Sequence, residues 1–265
     1  MSDKLDIDGH KIAVTTLGDG PRPMVMIHCS LANHRSLARL ARHFANTHTV
    51  QLIDMPGHGD SGPWDGQADI QGLVATAAAR VADPGSLVFG HSFGGAAALR
   101  FAVERPDLVS ALALYEPVYF TPPIGTPEYN AYLTRFQPYV DAMAADDPPA
   151  AAEAFNRLWG LQPWDTLPAF VRRDMAARIW FILASERAFE GDVGGVFAPG
   201  RLEALTLPVA ILHGDTSEPI IPPVANAIAA RLANVQVHAL DGIGHMGPIT
   251  DPDRVAEIVR GLVAG

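Results

Sequence analysis

Unbroken apolar runs of strand length recur along this chain, with helical patterns between them. Four such runs lie in its first half: MVMIH (24–28), TVQLID (49–54), SLVFGH (86–91) and VSALALY (109–115). A strand without polar alternation must be covered on both faces, as is typical of parallel sheets in α/β proteins. The pattern therefore predicts an α/β chain with a mostly parallel sheet and helices on both faces.

Helical spacing and turn residues mark the remaining elements. Residues 36–45, 69–82 and 94–106 carry apolar side chains at helical spacing, and Asp8-Gly9 predicts a tight hairpin turn near the N-terminus. Strand and helix patterns return late in the chain, in PVAILHGD (208–215), PPVANAIAARLA (222–233), VQVHAL (235–240) and a closing helix, PDRVAEIVRGLVA (252–264).

The stretch from 117 to 200 has a different character. It contains clustered prolines, helical periodicity without clear strands, and three of the four tryptophans. We therefore predict a core domain formed by residues 1–116 and 201–265, interrupted by a helical cap at 117–200.

The sequence GHSFG, residues 90–94, places Ser92 between glycines where an apolar strand meets a helix. Only hydrogen side chains fit beside a residue in so sharp a turn. The segment resembles the G-x-S-x-G nucleophile elbow of the α/β-hydrolase family. The resemblance implies the α/β-hydrolase fold and a nucleophilic Ser92, whereas the plainer interpretation is a small residue in an ordinary turn.

The loop DGIGHMGP places His245 between the last strand and the last helix. It resembles the family's catalytic histidine segment, which implies that His245 takes the Ser92 proton and returns it to the leaving group. Three other histidines have structural interpretations: His91 packs beneath the elbow, His58 shapes the pocket rim, and His213 ends a strand.

The family also implies an oxyanion hole of two backbone N–H groups. One belongs to the residue after the nucleophile, here Phe93, and the other to the loop after an early strand. That loop reads IHCSLANHRS, in which His28 matches the family's His-Gly pair but Cys29 replaces the glycine. By position Ser30 is the second donor, with Leu31 as the alternative. Cys29 is a competing nucleophile, but it lacks an elbow.

The acid that orients the histidine is the hardest residue to place. Most α/β-hydrolases have Gly-x-x-Asp after a late strand, but here Ser217 occupies the aspartate position, flanked by Asp215 and Glu218. Some relatives, haloalkane dehalogenases among them, carry the acid after the preceding strand, where this chain has Glu116. We predict Glu116, then Glu218, then Asp215. The plainer interpretation of Glu116 is an N-cap of the first cap helix.

Composition excludes several other classes. With 19 Lys and Arg against 29 Asp and Glu, the formal charge of -10 repels phosphate backbones, so no nucleic-acid partner is expected. The single cysteine and the histidine spacing predict no disulfide, no metal and no cofactor. Because no apolar run approaches the roughly 18 residues of a membrane span and no signal pattern opens the chain, we expect a cytoplasmic protein without a membrane partner. A homodimer is left open.

These expectations combine into a serine hydrolase that cleaves a small carboxylic ester, with an apolar acyl or aryl group, through an acyl-enzyme. A serine at the elbow argues against the dehalogenase and epoxide hydrolase reactions, which use aspartate. Two alternatives stay open: a C–C bond hydrolase of ring-fission-type diketones, and a non-catalytic small-ligand receptor. Five aromatic residues of the cap could line an apolar acyl or aryl pocket, although most such aromatics simply pack a helical core: Trp159, Trp164, Phe170, Trp180 and Phe181.

Overall fold

The structure of the chain, a computed structural model, describes residues 3–262. Its eight strands form one sheet of order β1-β2-β4-β3-β5-β6-β7-β8. The β1–β2 and β2–β4 pairs are antiparallel and all later pairs are parallel. The strands are β1 (Asp3–Ile7), β2 (His10–Leu17), β3 (Arg22–Ile27), β4 (His48–Ile53), β5 (Ser86–His91), β6 (Val109–Tyr115), β7 (Val209–Gly214) and β8 (Val235–Leu240).

Ten α-helices and two short 3₁₀ turns lie in the described part of the chain. The helices are α1 (Ala38–Arg42), α2 (Ile70–Val81), α3 (Phe93–Glu104), α4 (Pro127–Ala144), α5 (Pro148–Trp159), α6 (Ala169–Arg178), α7 (Trp180–Phe189), α8 (Ile221–Ala229), α9 (Gly247–Thr250) and α10 (Pro252–Gly261). The 3₁₀ turns are His34–Leu37 and Trp164–Thr166.

The central strands are covered on both faces, as their apolar runs predict. All six residues of β5 are buried, and its side chains alternate between two cores. Val88 belongs to the core that includes α2, α3 and α8, whereas Phe89 belongs to the core that includes α1 and α10. The prediction of a mostly parallel sheet with helices on both faces is confirmed.

Most predicted elements are found with small shifts in their ends. The hairpin is confirmed, because Ile7 pairs with His10 and the intervening Asp8 and Gly9 both have positive φ, 49° and 84°. The helix predicted over 36–45 is shorter: it begins as a 3₁₀ turn, and α1 covers only Ala38–Arg42. The closing helix ends at Gly261, and residues 263 and 264 of its predicted range lie outside the described residues.

The segment between β6 and β7 contains α4 to α7 and, from 117 to 200, no strand among its residues, all of which are described. Phe181 and Phe189, both buried residues of α7, share one hydrophobic cluster with α2 and α3, so α7 packs against the helices that cover this face of the sheet. The division into a core domain and a cap at 117–200 stays a prediction. None of the helices formed by residues 3–262 has both the length and the apolar character to cross a bilayer.

The candidate site residues lie at one edge of the sheet. Ser30 follows β3, Ser92 follows β5, Glu116 follows β6 and His245 follows β8. Because these strands are parallel, their carboxyl ends meet at the same edge. The chain order reverses between β3 and β5, and the crevice at such a switch point is where open α/β sheets bind ligands.

Candidate active site

Ser92 lies in a strained turn that its glycine neighbours permit. Its φ of 58° and ψ of -120° are rare for a residue with a side chain, and it precedes the first residue of α3. A Cβ on Gly90 would lie 2.3 Å from the carbonyl oxygen of Gly94, and one on Gly94 would lie 2.3 Å from that of His28. The two glycines are therefore needed for the close approach of strand, helix and neighbouring loop.

The Glu116 carboxylate is fully buried and holds His245. Its Oε2 lies 2.6 Å from Nδ1 of His245. Its Oε1 accepts hydrogen bonds from the Gly214 N–H at 2.8 Å and from the Ser217 hydroxyl. The interpretation of Glu116 as a helix cap is wrong, because α4 begins much later and its N-cap is Thr126.

The two competing carboxylates are engaged elsewhere. Glu218 forms an ion pair with Arg135 of α4, with Oε2 2.7 Å from Nη2 and 3.0 Å from Nε. Asp215 is exposed, and its Oδ1 accepts the Gly242 N–H at 2.7 Å. The structure thus brings Glu116, rather than Glu218 or Asp215, to His245.

The loop that carries His245 is fixed from beneath. The His91 ring donates its Nε2–H to the His245 carbonyl oxygen at 2.7 Å, and the Tyr115 hydroxyl donates to that of Gly244 at 2.7 Å. Burial holds the pKa of His91 well below its ordinary value, so the ring is neutral and this donor fixes its tautomer. The ring of Trp159 lies edge-on to the His245 ring, with centroids 4.7 Å apart.

Two apolar cavities meet at Ser30 and Ser92. The α5–α6 cavity, about 220 Å³, is also lined by His245 and by apolar side chains of α5, α6 and the loop after β3, including Leu31, Trp159, Val171 and Met175. The α4–α7 cavity, about 230 Å³, is lined by Val118, Phe120, Tyr132, Leu133, Phe136, Tyr139, Val140, Phe155, Trp159, Ile182, Leu183, Glu186, Phe189 and Glu190.

The aromatic side chains expected in the pocket divide into three groups. Trp159 lines both cavities. Phe181 is fully buried beside the elbow. Phe170 is 66% exposed, and Trp164 and Trp180 lie outside both linings within the described residues, so their assignment to the pocket is wrong.

The loop after β3 presents Ser30 to both cavities. Phe93 is the first residue of α3, where a backbone N–H has no acceptor within its own helix. The N–H of Leu31, by contrast, donates to Nε2 of His58 at 3.1 Å and is not free. Cys29 is buried, and burial raises the pKa of its thiol to about 12, which opposes formation of a nucleophilic thiolate.

A buried histidine network behind this loop escaped the sequence interpretation. His58 was expected at the pocket rim, but it is fully buried behind Leu31. Nδ1 of His28 donates to the Cys29 carbonyl oxygen at 2.7 Å and its Nε2 accepts the Met55 N–H at 3.2 Å. Burial lowers the pKa of His28 to about 4, so it is neutral.

A third buried histidine, His34, lies beside Asp54. Asp54 accepts the His34 backbone N–H at 2.7 Å and lies 2.8 Å from its Nδ1. The potential ligand atoms of His34, Asp54 and Asp60 all lie within 4.8 Å of one another, a grouping that sequence spacing did not indicate. Because Asp54 also accepts the Asp60 N–H at 2.9 Å, its oxygens hold two loops together.

Curated proteins similar in sequence to this chain include a lipase and an esterase. Lipase LipV of Mycobacterium tuberculosis is 39% identical over 101 residues, which cover 37% of this chain and 38% of the lipase. A pimeloyl-[acyl-carrier protein] methyl ester esterase of Xanthomonas campestris pv. campestris is 25% identical over 264 residues, 95% of this chain and 98% of that protein. The chain thus spans well under half of the lipase's length but nearly all of this esterase's.

A solved structure shows the same fold at low sequence identity. An esterase from Exiguobacterium antarcticum superposes with a TM-score of 0.78 and 18% identity over 100% of both chains. A family model described as "Alpha/beta hydrolase family" matches residues 24–258, a range that includes the elbow, the loop after β3 and the histidine loop. On that match, the chain belongs to the α/β-hydrolase family.

Proposed function

We propose that this protein is a serine hydrolase that cleaves a carboxylic ester of a small molecule through an acyl-enzyme. Ser92 is the nucleophile, His245 the base and then the acid, and Glu116 the carboxylate that orients His245. The single observation that carries the proposal is the 2.6 Å contact between Oε2 of Glu116 and Nδ1 of His245. The relatives named as lipase and esterase support ester hydrolysis.

The first half of the reaction transfers the acyl group to Ser92. The Glu116 carboxylate accepts the Nδ1–H of His245, so the proton-free Nε2 takes the Ser92 hydroxyl proton as Oγ attacks the ester carbon. The negative charge on the former carbonyl oxygen is held by the N–H groups of Phe93 and Ser30. When the tetrahedral intermediate collapses, the C–O bond to the alcohol breaks and Nε2–H protonates the departing oxygen.

Water completes the cycle. His245 takes a proton from water as the oxygen attacks the acyl carbon, and a second oxyanion forms at the same two N–H groups. Its collapse breaks the bond to Ser92 Oγ, which recovers its proton from His245, and the carboxylic acid leaves. Glu116 stabilises the imidazolium in both halves without itself being protonated.

The two cavities suggest how the ester is oriented. His245 must protonate the leaving alcohol, and it lines the α5–α6 cavity, so the alcohol lies on that side. The acyl group then occupies the α4–α7 cavity, whose aromatic lining favours an apolar aliphatic or aryl chain. This arrangement gives the predicted cap its role, because residues of the stretch 117–200 supply most of both linings.

The proposal is tested with p-nitrophenyl esters of increasing acyl length, assayed beside a ring-fission-type diketone. We expect ester hydrolysis, and a fluorophosphonate should label the wild type but not Ser92→Ala. A rate confined to the diketone would identify C–C bond hydrolysis instead. No turnover of either substrate and no label on Ser92 in folded protein would indicate a binding protein.

A further inference from the structure

His58 is held in one tautomer behind the loop that follows β3. Its Nδ1 lies 2.9 Å from the carbonyl oxygen of Pro56 and therefore carries the hydrogen. Its Nε2 must then be the acceptor of the Leu31 N–H at 3.1 Å. Burial lowers the pKa of His58 to about 3, so the ring is neutral near pH 7 and its Nε2 is free to accept.

Leu31 needs such an acceptor because its backbone is strained. Its φ of 63° lies in the left-handed region, which is unfavourable for a residue with a bulky side chain. The Leu31 backbone is held from two sides. His58 accepts the Leu31 N–H, and Arg178, the last residue of α6, places its Nη2 3.4 Å from the Leu31 carbonyl oxygen. Without the imidazole acceptor, a buried N–H would be unsatisfied and the strained turn would relax.

The neighbouring peptide contains the proposed oxyanion donor. The Cys29 carbonyl oxygen accepts the Nδ1–H of His28 at 2.7 Å and the Ala32 N–H at 3.3 Å. In a trans peptide the carbonyl and the N–H point in opposite directions, so the Ser30 N–H points away from His28. Ser30 joins the Cys29–Ser30 peptide to the Ser30–Leu31 peptide, whose N–H donates to His58. A displacement of the Ser30–Leu31 peptide would therefore shift Ser30 and, with it, the Ser30 N–H.

We infer that His58 is a positioning residue for the oxyanion hole: by accepting the Leu31 N–H, it holds the Ser30–Leu31 turn in the conformation that presents the Ser30 N–H to the substrate oxygen. The inference rests on the proposed function, which assigns the oxyanion to Ser30 and Phe93. His58 contacts no reacting atom and acts through the backbone alone.

The test compares two substitutions that differ in one property. His58→Phe preserves an aromatic ring against Phe181, whose centroid lies 4.6 Å from that of His58, but removes the acceptor. His58→Gln returns an acceptor oxygen. With a p-nitrophenyl ester we expect kcat to fall about 10- to 100-fold in His58→Phe, a smaller decrease than removal of a whole oxyanion donor causes. KM should stay within about twofold of the wild-type value. His58→Gln should recover most of this loss.

A matched control is offered by His48, another buried histidine whose ring packs against a phenylalanine, Phe44. It begins β4, at the opposite end of the parallel strands from Ser92, so His48→Phe should leave kcat unchanged. A trifluoromethyl ketone, which forms a hemiketal oxyanion on a serine, should lose affinity for His58→Phe in proportion to kcat/KM. A folded His58→Phe with wild-type kcat, or equal losses in His58→Phe and His58→Gln, would overturn the inference.

A measurement on the unaltered protein covers the case in which His58→Phe does not fold. Nitrogen-15 NMR of the histidine rings should show His58 with a protonated Nδ1 and an unprotonated Nε2, unchanged from pH 8 to pH 5. The opposite tautomer, or titration near the ordinary pKa of histidine, would exclude the inferred role. If the wild type hydrolyses no ester, the proposed function has failed, and the ring tautomer still decides separately whether His58 holds Leu31.

Discussion

The hydroxyl of Ser217 donates a hydrogen bond to Oε1 of Glu116, the carboxylate whose other oxygen holds His245. Ser217 occupies the position after β7 where most of the family carries its aspartate, while Glu116 follows β6. The two strands are adjacent and parallel, so both positions face the same histidine. The carboxylate that contacts His245 therefore follows the neighbouring strand, β6. Ser217, at the position after β7, stabilises that carboxylate through its hydrogen bond.

We predict that Glu116→Gln lowers kcat roughly 1,000- to 10,000-fold with little effect on KM. The amide has the same shape, but its NH2 group can donate to Nδ1 of His245, which favours the tautomer with a protonated Nε2 that cannot accept the Ser92 proton. Steady-state kinetics on a p-nitrophenyl ester, with circular dichroism to verify folding, measure the effect.

Glu218→Gln is the matched control for this prediction. It removes a carboxylate of the same size from the ion pair with Arg135, and we expect less than a threefold change in kcat. If Glu218→Gln loses most of its turnover while folded Glu116→Gln retains it, Glu116 is not the orienting acid.

The elbow glycines give a second prediction. A Cβ at Gly94 would lie 2.3 Å and 2.4 Å from the carbonyl oxygens of His28 and Ile27, so Gly94→Ala must displace the loop after β3. We expect destabilisation by about 1–3 kcal/mol or more and loss of ester hydrolysis. In Gly261→Ala, where a Cβ meets no heavy atom within 4 Å, urea denaturation should give wild-type or slightly higher stability, because alanine is the better helix former. Wild-type activity in Gly94→Ala would contradict the close approach of elbow and loop.

The buried histidines predict how stability depends on pH. Burial lowers the pKa of His28 to about 4 and that of His58 to about 3, and it holds the pKa of His91 well below the ordinary 6.5. Below pH 6.5 the unfolded chain binds protons that the folded chain does not. Stability from these groups is therefore complete above about pH 6.5 and is lost as the pH falls toward 4, by up to about 1.4 kcal/mol per pH unit for each histidine.

Urea denaturation between pH 7.5 and pH 4.5 measures this dependence. His58→Phe should have a shallower slope below pH 6.5, because one proton-binding difference is removed. An unchanged slope in that variant would show that His58 is not neutral in the folded protein.

The sequence was sufficient for features that depend on local pattern. The apolar runs predicted β5 and β6 to the residue, and a serine between glycines at a strand end marked the elbow. The contacts among His28, His58 and Asp54 could not be predicted, because they join segments more than twenty residues apart and, unlike the Glu116–His245 pair, no resemblance paired these side chains with one another. Phe170 was misplaced for a related reason: composition identifies an aromatic helix but not which of its faces is buried.

The acyl side of the site leads to the last prediction. Glu186, in the last turn of α7, and Glu190, the residue that caps its C-terminal end, line the α4–α7 cavity, whose remaining lining is largely apolar. Burial raises the pKa of Glu190, a hydrogen bond with Tyr129 opposes that increase, and the nearby Glu186 adds to it. The groups that act on Glu190 thus include a second carboxylate, and an acyl chain that ends in a carboxylate would meet negative charge there.

We therefore predict that p-nitrophenyl hexanoate is hydrolysed with a higher kcat/KM than the mono-p-nitrophenyl ester of adipic acid. The double substitution Glu186→Gln with Glu190→Gln should lower the ratio of the hexanoate kcat/KM to the adipate kcat/KM by roughly 5- to 10-fold. This is the effect expected for two partly exposed charges. Asp107→Asn with Glu257→Gln removes the same formal charge away from the cavity and should leave the ratio unchanged. An equal change in both double variants would mean that net charge, rather than Glu186 and Glu190, selects the acyl group.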